Sequence, residues 1–356
     1  MGTKIEKDQI ILSDLYNVMK FHWKRGKGHL IPYLWNRYQW YHNPKALTLS
    51  KYPLHVDVEI SSICNMKCPM CYTNTEIFNK RVSKTLMNFE LFKKIIDESA
   101  NHNLFSIRLS LRGEALLNPN FLEMIKYAKE MGIKEVSTLT NGLLLDEDLF
   151  MGMVRNGLDW LTISIDGWGE KYEQIRKPAK FDEIYKRIMT FYEIKKKIKS
   201  VKPVIKVQSV WPAIQENPEY FYSLFRPYVD EVASNPLIDF LREDSDISYD
   251  EKFTCPYVWQ RISIGADGNI LMCQCDEMEE NLLGNVSVDS IYNIWNGEEL
   301  NNVRQIHKQK KGHLVFNPCK HCSYPRKKVE YEEIEVSKHK VIVEKYVGRE
   351  DHIKIN

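Results

Sequence analysis

The sequence lacks a long apolar run, an excess of one charge, and any cysteine between Cys71 and Cys255. No stretch of about 18 apolar residues is present, and the opening MGTKIEKDQI has no signal-peptide core. These absences predict a cytoplasmic protein without a transmembrane helix. The 50 basic and 48 acidic residues leave a net charge of only +2, so neither nucleic acid nor a membrane is expected as a partner.

The eight cysteines fall into two groups on either side of that gap. Cysteines stay reduced in the cytoplasm, where clusters of them indicate metal binding rather than disulfide bonds. The first group lies within SSICNMKCPMCYTNT and comprises Cys64, Cys68 and Cys71. The second group comprises Cys255, Cys273, Cys275, Cys319 and Cys322. The sequence therefore predicts one metal centre near the front of the chain and another near its back.

Strand patterns alternate with helix patterns through the middle of the chain. The predicted strands cover 54–61, 105–111, 135–140, 160–166, 204–210 and 229–235. The predicted helices cover 121–131, 146–156, 181–199 and 218–226. This alternation implies an α/β fold with parallel strands and right-handed crossovers. Six such units suit a partial (β/α)6 barrel, with the functional groups at the carboxyl ends of its strands.

Four short motifs follow these strands directly. The first cysteine group follows strand one, and RGEALLNP (112–119) follows strand two. TNG (140–142) and the dipeptide Asp166-Gly167 follow strands three and four. Because the ends of parallel strands share one rim, the recurrence of these motifs indicates a functional site there.

The rest of the chain divides into flanking segments around the core at 51–245. Residues 1–50 predict a helical N-terminal extension that packs on the main domain. A second, cysteine-bearing α+β domain is predicted over 246–330, with a hairpin turn at Asp267-Gly268 and a helix capped by Asp289. Residues 331–356 form a charged tail, in which KVIVEKYV predicts an edge strand.

Thiolate ligands select iron–sulfur clusters, zinc or Cu(I). Structural zinc takes four ligands, often as two pairs, whereas three cysteines suit a 4Fe–4S cluster with one iron open to a small molecule. A zinc knuckle is the simpler alternative. The pattern Cys-x3-Cys-x2-Cys after the first strand of a six-unit α/β chain resembles the radical S-adenosylmethionine (SAM) enzymes. The resemblance implies that SAM binds the open iron and yields a 5′-deoxyadenosyl radical, with an electron donor such as flavodoxin or ferredoxin.

Further motifs resemble the segments that form the SAM pocket in this family. RGEALLNP is similar to the family's Gly-Gly-Glu-Pro motif, which contacts the amino group of SAM; Gly113 and Glu114 match, while Arg112 and Ala115 depart from it. TNG and ISIDG resemble segments that line the ribose and methionine parts of the site. The further cofactor-binding residues implied are Thr140, Asn141, Ser164, Asp166 and Arg176. Each of these residues could instead cap a helix or close a turn.

The second cysteine group resembles the SPASM and twitch domains that follow many radical SAM cores. Twelve residues separate Cys255 from Gly268, and four separate Gly268 from Cys273. No cysteine follows Cys322, which favours the shorter twitch arrangement with one auxiliary 4Fe–4S cluster. The implied ligands are Cys255, Cys273, Cys319 and Cys322. Together with the first group this implies two 4Fe–4S clusters, although a four-cysteine zinc site has the same ligand count.

An auxiliary cluster held by four cysteines has no open iron, so electron transfer is its expected task. The sequence therefore predicts a radical SAM enzyme that oxidises or epimerises a small polar substrate, such as a sugar, aminocyclitol or nucleoside. A maturase of a ribosomally made peptide is an alternative, although the N-terminal segment looks too short and too helical for a leader-peptide domain. A non-enzymatic iron–sulfur or zinc module is another. Cys275 is left over, as an alternative ligand, a buried thiol or the hydrogen donor of an epimerase.

Overall fold

The computed structural model describes residues 10–244 and 246–347, together with Ile353. The strands of this described part are β1 (Ile10–Ile11), β2 (His55–Val58), β3 (Ser106–Arg108), β4 (Glu135–Thr140), β5 (Trp160–Ser164), β6 (Val204–Val210), β7 (Glu231–Asn235), β8 (Arg261–Ile264), β9 (Asn269–Leu271), β10 (Leu282–Asn285), β11 (Lys328–Val336) and β12 (His339–Tyr346). The helices are α1 (Leu15–Gly26), α2 (Leu30–Ala46), α3 (Glu76–Arg81), α4 (Phe89–Asn101), α5 (Phe121–Glu130), α6 (Glu147–Arg155), α7 (Gly169–Ile175), α8 (Phe181–Lys197), α9 (Trp211–Ile214), α10 (Pro218–Phe225), α11 (Ile291–Asn296), α12 (Glu298–Lys308), α13 (Gly312–Val315) and α14 (Asn317–His321).

Ten of these strands form one sheet in the order β1-β7-β6-β5-β4-β3-β2-β8-β9-β10. The strands from β2 to β7 are parallel neighbours in chain order, which confirms the predicted α/β fold with six strand–helix units. β8 lies parallel to β2, with His55 opposite Arg261, and β9 and β10 continue the sheet as antiparallel strands. The small C-terminal domain thus extends the edge of the barrel sheet.

The two faces of the barrel strands differ in polarity, because residues alternate between faces along a strand. The outward residues are buried beneath the helices and include Val56, Val58, Ile107, Val136, Leu161, Ile163, Ile205 and Val207. The inward residues are mostly polar and include His55, Asp57, Arg108, Glu135, Ser137, Thr162, Lys206 and Glu231. The hydrophobic core therefore lies between the sheet and the helices, and the lumen of the barrel is polar.

The N-terminal segment is less purely helical than its pattern suggests. β1 pairs antiparallel with β7, with Ile10 opposite Ser234, and so adds an edge strand that the sequence pattern missed. α1 begins after Asp14, whose carboxylate accepts from the Asn17 backbone N–H. The described part of the extension packs on the main domain through Arg25, which donates to Glu135 at the start of β4. Residues 1–9 of the predicted extension lie outside the described residues.

The C-terminal region contains the predicted hairpin, in which Gly268 adopts a left-handed φ of +89° between β8 and β9. The cap predicted at Asp289 is wrong by one position: the Ser290 hydroxyl accepts from the Asn293 N–H at the start of α11. KVIVEKYV lies in β12, which pairs with β11 as a separate two-stranded sheet.

The domain boundary predicted at residue 245 falls outside the described residues, as does most of the tail after residue 347. Among the helices that the structure describes, none is long and apolar enough to cross a membrane.

Candidate active site

The first three cysteines lie on the loop that leaves β2, at the rim predicted for the site. Its backbone turns sharply, since the Cys71 N–H donates to the Cys68 carbonyl at 3.0 Å and Asn74 Nδ2 donates to the same oxygen at 2.8 Å. Burial raises the pKa of Cys68 to about 12, and the nearby Arg176 guanidinium opposes this shift. Burial also raises the pKa of Cys64. Three adjacent thiols in such a place fit a cationic iron cluster, because ligation supplies the positive charge that thiolates need.

The loop after β3 is clamped against the cysteine loop. A Cβ on Gly113 would lie 2.4 Å from the Ser61 carbonyl oxygen and 2.5 Å from that of Ile63. The Glu114 backbone N–H donates to the Ile63 carbonyl at 2.8 Å. The glycine is thus required by close approach of two backbones, which holds this loop beside Cys64.

The carboxylate of Glu114 is fully engaged by the protein. Thr140 Oγ1 donates to Oε1 at 2.7 Å, the Leu116 N–H donates to Oε1 at 3.1 Å, and the Asn141 N–H donates to Oε2 at 2.7 Å. Burial raises the pKa of Glu114, and the hydrogen bonds from Asn141 and Thr140 oppose the shift. Glu114 could bind the amino group of SAM directly through its carboxylate or act by shaping the loop, and these contacts favour the second role.

Asn141 joins the end of β4 to the cysteine loop. Its Nδ2 donates to Asn65 Oδ1 at 2.8 Å and lies 3.9 Å from Cys64 Sγ. Its Oδ1 accepts from the Leu143 N–H, which closes the turn. The structure therefore brings together the cysteine loop, Glu114, Thr140 and Asn141.

Asp166 and Arg176 form a buried ion pair beside the same rim. Arg176 Nε lies 2.6 Å from Asp166 Oδ2, while Asp166 Oδ1 accepts from the Val210 N–H at 2.9 Å. The carboxylate thus orients Arg176 toward Cys68, whose pKa it influences. Ser164 ends β5 on this rim and is buried.

Arg112, which replaces a glycine of the family motif, forms a polar link that sequence reasoning missed. It donates from Nε to Glu59 Oε1 at 2.7 Å, and its Nη1 lies 2.8 Å from Glu279 Oε1. The Ala266 N–H also donates to Glu59. Arg112 therefore ties the end of β2 to the loop between β9 and β10, which carries Cys273 and Cys275. Its departure from the motif was the only signal of this role in the sequence.

All five cysteines of the second group line one cavity of about 20 Å³. Burial raises the pKa of Cys255 and Cys319. Hydrogen bonds to Cys273 and Cys322, together with burial, raise the pKa of Cys275. Five buried or partly buried thiols around one cavity fit an iron–sulfur cluster, which would supply positive charge to their thiolates. Within the described residues, no three His, Cys, Asp or Glu side chains are arranged to hold a single metal ion.

A second cavity of about 390 Å³ occupies the barrel lumen. Polar inward residues of β3 to β7 line it together with α1, α2 and the C-terminal domain. Cys275 lines both this cavity and the cavity of the five cysteines. The second cysteine group therefore adjoins the lumen directly.

Two family models match these two regions of the chain. The radical SAM superfamily model matches residues 58–212, and the iron–sulfur cluster-binding domain model, SPASM, matches residues 255–323. The chain is a radical SAM protein with a C-terminal SPASM domain. These domains imply 4Fe–4S clusters and SAM as cofactors.

The curated relatives match this chain over only part of its length. A GTP 3′,8-cyclase from Chlorobaculum tepidum is 31% identical over 139 residues, which cover 38% of this chain and 39% of the relative. A tungsten-containing aldehyde ferredoxin oxidoreductase cofactor-modifying protein from Pyrococcus furiosus is 29% identical over 110 residues, which cover 31% of this chain and 30% of the relative. The chain thus spans well under half the length of these relatives.

Solved radical SAM structures share the fold at low identity. BtrN in complex with AdoMet and 2-DOIA gives a TM-score of 0.57 at 17% identity, covering 77% of this chain and 94% of BtrN. SuiB from Streptococcus suis bound to precursor peptide SuiA gives 0.54 at 14% identity, covering 82% and 76%. The anSMEcpe structure with bound AdoMet gives 0.56 at 17% identity, covering 76% and 87%.

Proposed function

We propose that the chain is a radical SAM oxidoreductase or epimerase that acts on a small polar substrate, such as a sugar, aminocyclitol or nucleoside, held in the barrel lumen. When bound, SAM and the cluster at Cys64, Cys68 and Cys71 supply a 5′-deoxyadenosyl radical that takes a hydrogen atom from the substrate. The observation that carries this proposal is that Cys275 lines both the lumen cavity and the cavity of the second cysteine group.

The roles of the first site follow from its contacts. Gly113 and Glu114 hold the loop that would bind the SAM amino group against the cysteine loop. Thr140 and Asn141 anchor the carboxylate of Glu114, and Asp166 orients Arg176 beside the cofactor. Ser164 lies on the same rim and would face the ribose.

The second site would hold one auxiliary 4Fe–4S cluster, as in a twitch domain, and this cluster would accept an electron. Its ligands would be Cys255, Cys273, Cys319 and Cys322. In oxidation, the substrate radical would lose one proton and one electron to leave a carbonyl group, and a cluster held by these four cysteines would supply the acceptor for that electron. In epimerisation, Cys275 would return a hydrogen atom from its S–H to the opposite face, and its thiyl radical would then take up one electron and one proton. The electrons would come from a cytoplasmic flavodoxin or ferredoxin.

The polar lumen supports a polar substrate over an apolar one, because its inward residues can hydrogen-bond hydroxyl groups. The experiment is anaerobic reconstitution with iron and sulfide, followed by dithionite and SAM. We expect formation of 5′-deoxyadenosine, and none from the variant with Cys64, Cys68 and Cys71 changed to Ala. A chain that takes up iron yet leaves SAM intact would instead be an electron carrier.

A further inference from the structure

Arg25 and Arg37 both line the lumen cavity and lie close to one carboxylate, that of Glu135. Arg25 donates to both oxygens of Glu135, at 3.0 and 2.8 Å. Arg37 lines the same cavity and stacks on Trp40 at 4.7 Å. In the part of the chain that the structure describes, the only ion pair of Glu135 is with Arg25, and Arg37 Nε is buried without a hydrogen-bond partner. Burial, then the charge of Arg25, lower the pKa of Arg37 to about 10, so it remains cationic at neutral pH.

A second arginine pair shares one carboxylate farther along the lumen. Arg108 and Arg261 both contact Asp57, at 2.8 and 3.3 Å. His55 also contacts Asp57, but burial lowers the pKa of His55, which leaves its ring neutral near pH 7. The Nε atoms of both arginines are buried without hydrogen-bond partners in the described structure. Each of the two arginine pairs thus carries one surplus positive charge.

Among the described residues that line the lumen, Lys206 also pairs with Glu231, at 2.9 Å, and this pair adds no net charge. Buried cations are costly unless an anion neutralises them. Two surplus charges therefore call for an anionic ligand, and the planar guanidinium group matches the geometry of phosphate.

We propose that the substrate of the lumen carries a phosphate group bound between these two arginine pairs, as in a nucleotide or nucleotide sugar. This inference rests on the proposed function, since it names the class of the polar substrate. Arg108 lies opposite Ser137 on β4, three residues before Thr140 at the cofactor rim, or about 10 Å along the strand. A molecule that reaches from the arginines to the radical must span that distance, which suits a nucleotide-sized substrate in a cavity of about 390 Å³.

The test is isothermal titration of the anaerobically reconstituted protein with UDP-glucose, UDP, uridine and glucose. We expect the two phosphate-bearing probes to bind and the two uncharged probes to bind at least about tenfold more weakly, as loss of charged hydrogen bonds predicts. Arg37→Gln should weaken UDP binding by about tenfold and Arg37→Lys by less. Arg155→Gln, at an exposed arginine on α6, is the matched control and should bind like the wild type.

Equal binding of charged and uncharged probes, no binding of either phosphate probe, or an Arg37→Gln variant that binds UDP normally would overturn the inference. Cleavage of SAM under dithionite does not require a phosphate-bearing substrate. Its measurement therefore tests the proposed function separately from the recognition of phosphate. If SAM is cleaved but phosphate is not recognised, only this inference fails. If phosphate is recognised but SAM remains intact, the proposed function fails.

An independent observation concerns the outer surface of α1 and α2. Large apolar side chains are exposed there at helical spacing, so that each helix presents an apolar face. On α1 these residues are Leu15, Tyr16, Met19 and Trp23. On α2 they are Leu30, Ile31, Leu34, Trp35 and Tyr38, with Ile31 81% exposed. Contiguous exposed patches of this kind mark interaction sites.

The charge of these helices indicates what they contact. Residues 15–46 contain no Asp or Glu, and of their six Lys or Arg residues, Arg25 and Arg37 line the lumen and Lys24 pairs with Asp230. The other three, Lys20, Lys27 and Lys45, are exposed. Lys20 and Lys27 are exposed beside the apolar face, and their ammonium groups lie over Tyr16 and Trp23. Aromatic and aliphatic side chains flanked by lysine, without acidic residues, are typical of helices that lie in a membrane interface.

We infer that the face formed by α1 and α2 docks on an anionic lipid surface. This proposal departs from the expectation of no membrane partner, which rested on a charge averaged over the whole chain. The test is flotation of the full-length holoprotein with vesicles of phosphatidylcholine alone or mixed with phosphatidylserine. We expect binding to the anionic vesicles that weakens with salt, because each lysine near the surface adds electrostatic attraction.

The double variant Ile31→Ser/Trp35→Ser should lose vesicle binding while still cleaving SAM. Val288→Ser is the matched control, since Val288 is 86% exposed on a loop of the C-terminal domain. Retained vesicle binding by the double variant, or no binding by the wild type, would overturn the inference. A wild-type dimer in light scattering that the double variant loses, without vesicle binding, would assign the face to a second copy instead.

Discussion

Gly113 lies so close to Ser61 that a Cβ on the glycine would sit 2.4 Å from the serine carbonyl oxygen. We therefore predict that Gly113→Ala pushes the cysteine loop away and costs about 1–3 kcal/mol of stability. Iron should be lost from the first cluster, and iron analysis with thermal unfolding measures both effects. The control is Gly152→Ala, whose Cβ would meet only the flexible end of Leu122. A Gly113→Ala variant with normal iron and stability would show that the loop can move without consequence.

Iron content tests the assignment of the two cysteine groups. Two 4Fe–4S clusters predict about eight irons per chain in protein purified without oxygen. Changing Cys64, Cys68 and Cys71 together to Ala should remove half of this iron and abolish SAM cleavage. Stoichiometric zinc in the anaerobic protein would instead assign the second group to a structural metal site.

Substitution of Arg112 tests whether this residue links the two domains. Arg112→Gly restores the family's residue but leaves the carboxylates of Glu59 and Glu279 buried without their partner. Removing one member of a buried ion pair costs about 3–5 kcal/mol, so we expect a large loss in denaturant unfolding. Adding Glu59→Gln should recover part of that loss, because it removes one uncompensated charge. If the single variant is as stable as the wild type, Arg112 does not hold the domains together.

The sequence predicted the repeating elements well and the long-range contacts poorly. β4 and β6 have their predicted bounds, because both segments are rich in β-branched residues, which favour strands. β1 was missed because Ile10 and Ile11 are too few to show a period. The pairing of Arg112 with Glu59 joins residues 53 positions apart, and no local pattern encodes such a contact. The spacing of the second cysteine group predicted that these cysteines lie together, and they do line one cavity. Their position next to the lumen depends on tertiary contacts, which the spacing does not encode.

The variant Glu114→Ala tests whether Glu114 contributes to SAM binding. Its carboxylate accepts hydrogen bonds from Thr140, Asn141 and Leu116, so Glu114→Ala should loosen the loop. We predict weaker SAM binding by at least about tenfold with an unchanged iron count, measured by titration calorimetry and iron analysis. Thr140→Val removes one of these donors and should give a smaller effect in the same direction. Unchanged SAM affinity in the Glu114→Ala variant would remove Glu114 from the site.

Cys275 distinguishes oxidation from epimerisation, because only an epimerase must return a hydrogen atom to the substrate radical. Its thiol lines the lumen cavity and hydrogen-bonds to Cys273 and Cys322, so it could be either the donor or a ligand. We predict that Cys275→Ala keeps the full iron count, which a ligand role would not allow.

With the substrate in D2O, a donor role predicts one deuterium at the inverted carbon in the wild type, since the thiol hydrogen exchanges with solvent. The Cys275→Ala variant should then consume SAM without forming epimer. Cys275→Ser is the matched control for shape, because its stronger O–H bond makes it a poor hydrogen-atom donor. Normal turnover by both variants would exclude the donor role, and oxidation through the second cysteine site would then account better for a thiol placed between the two cavities.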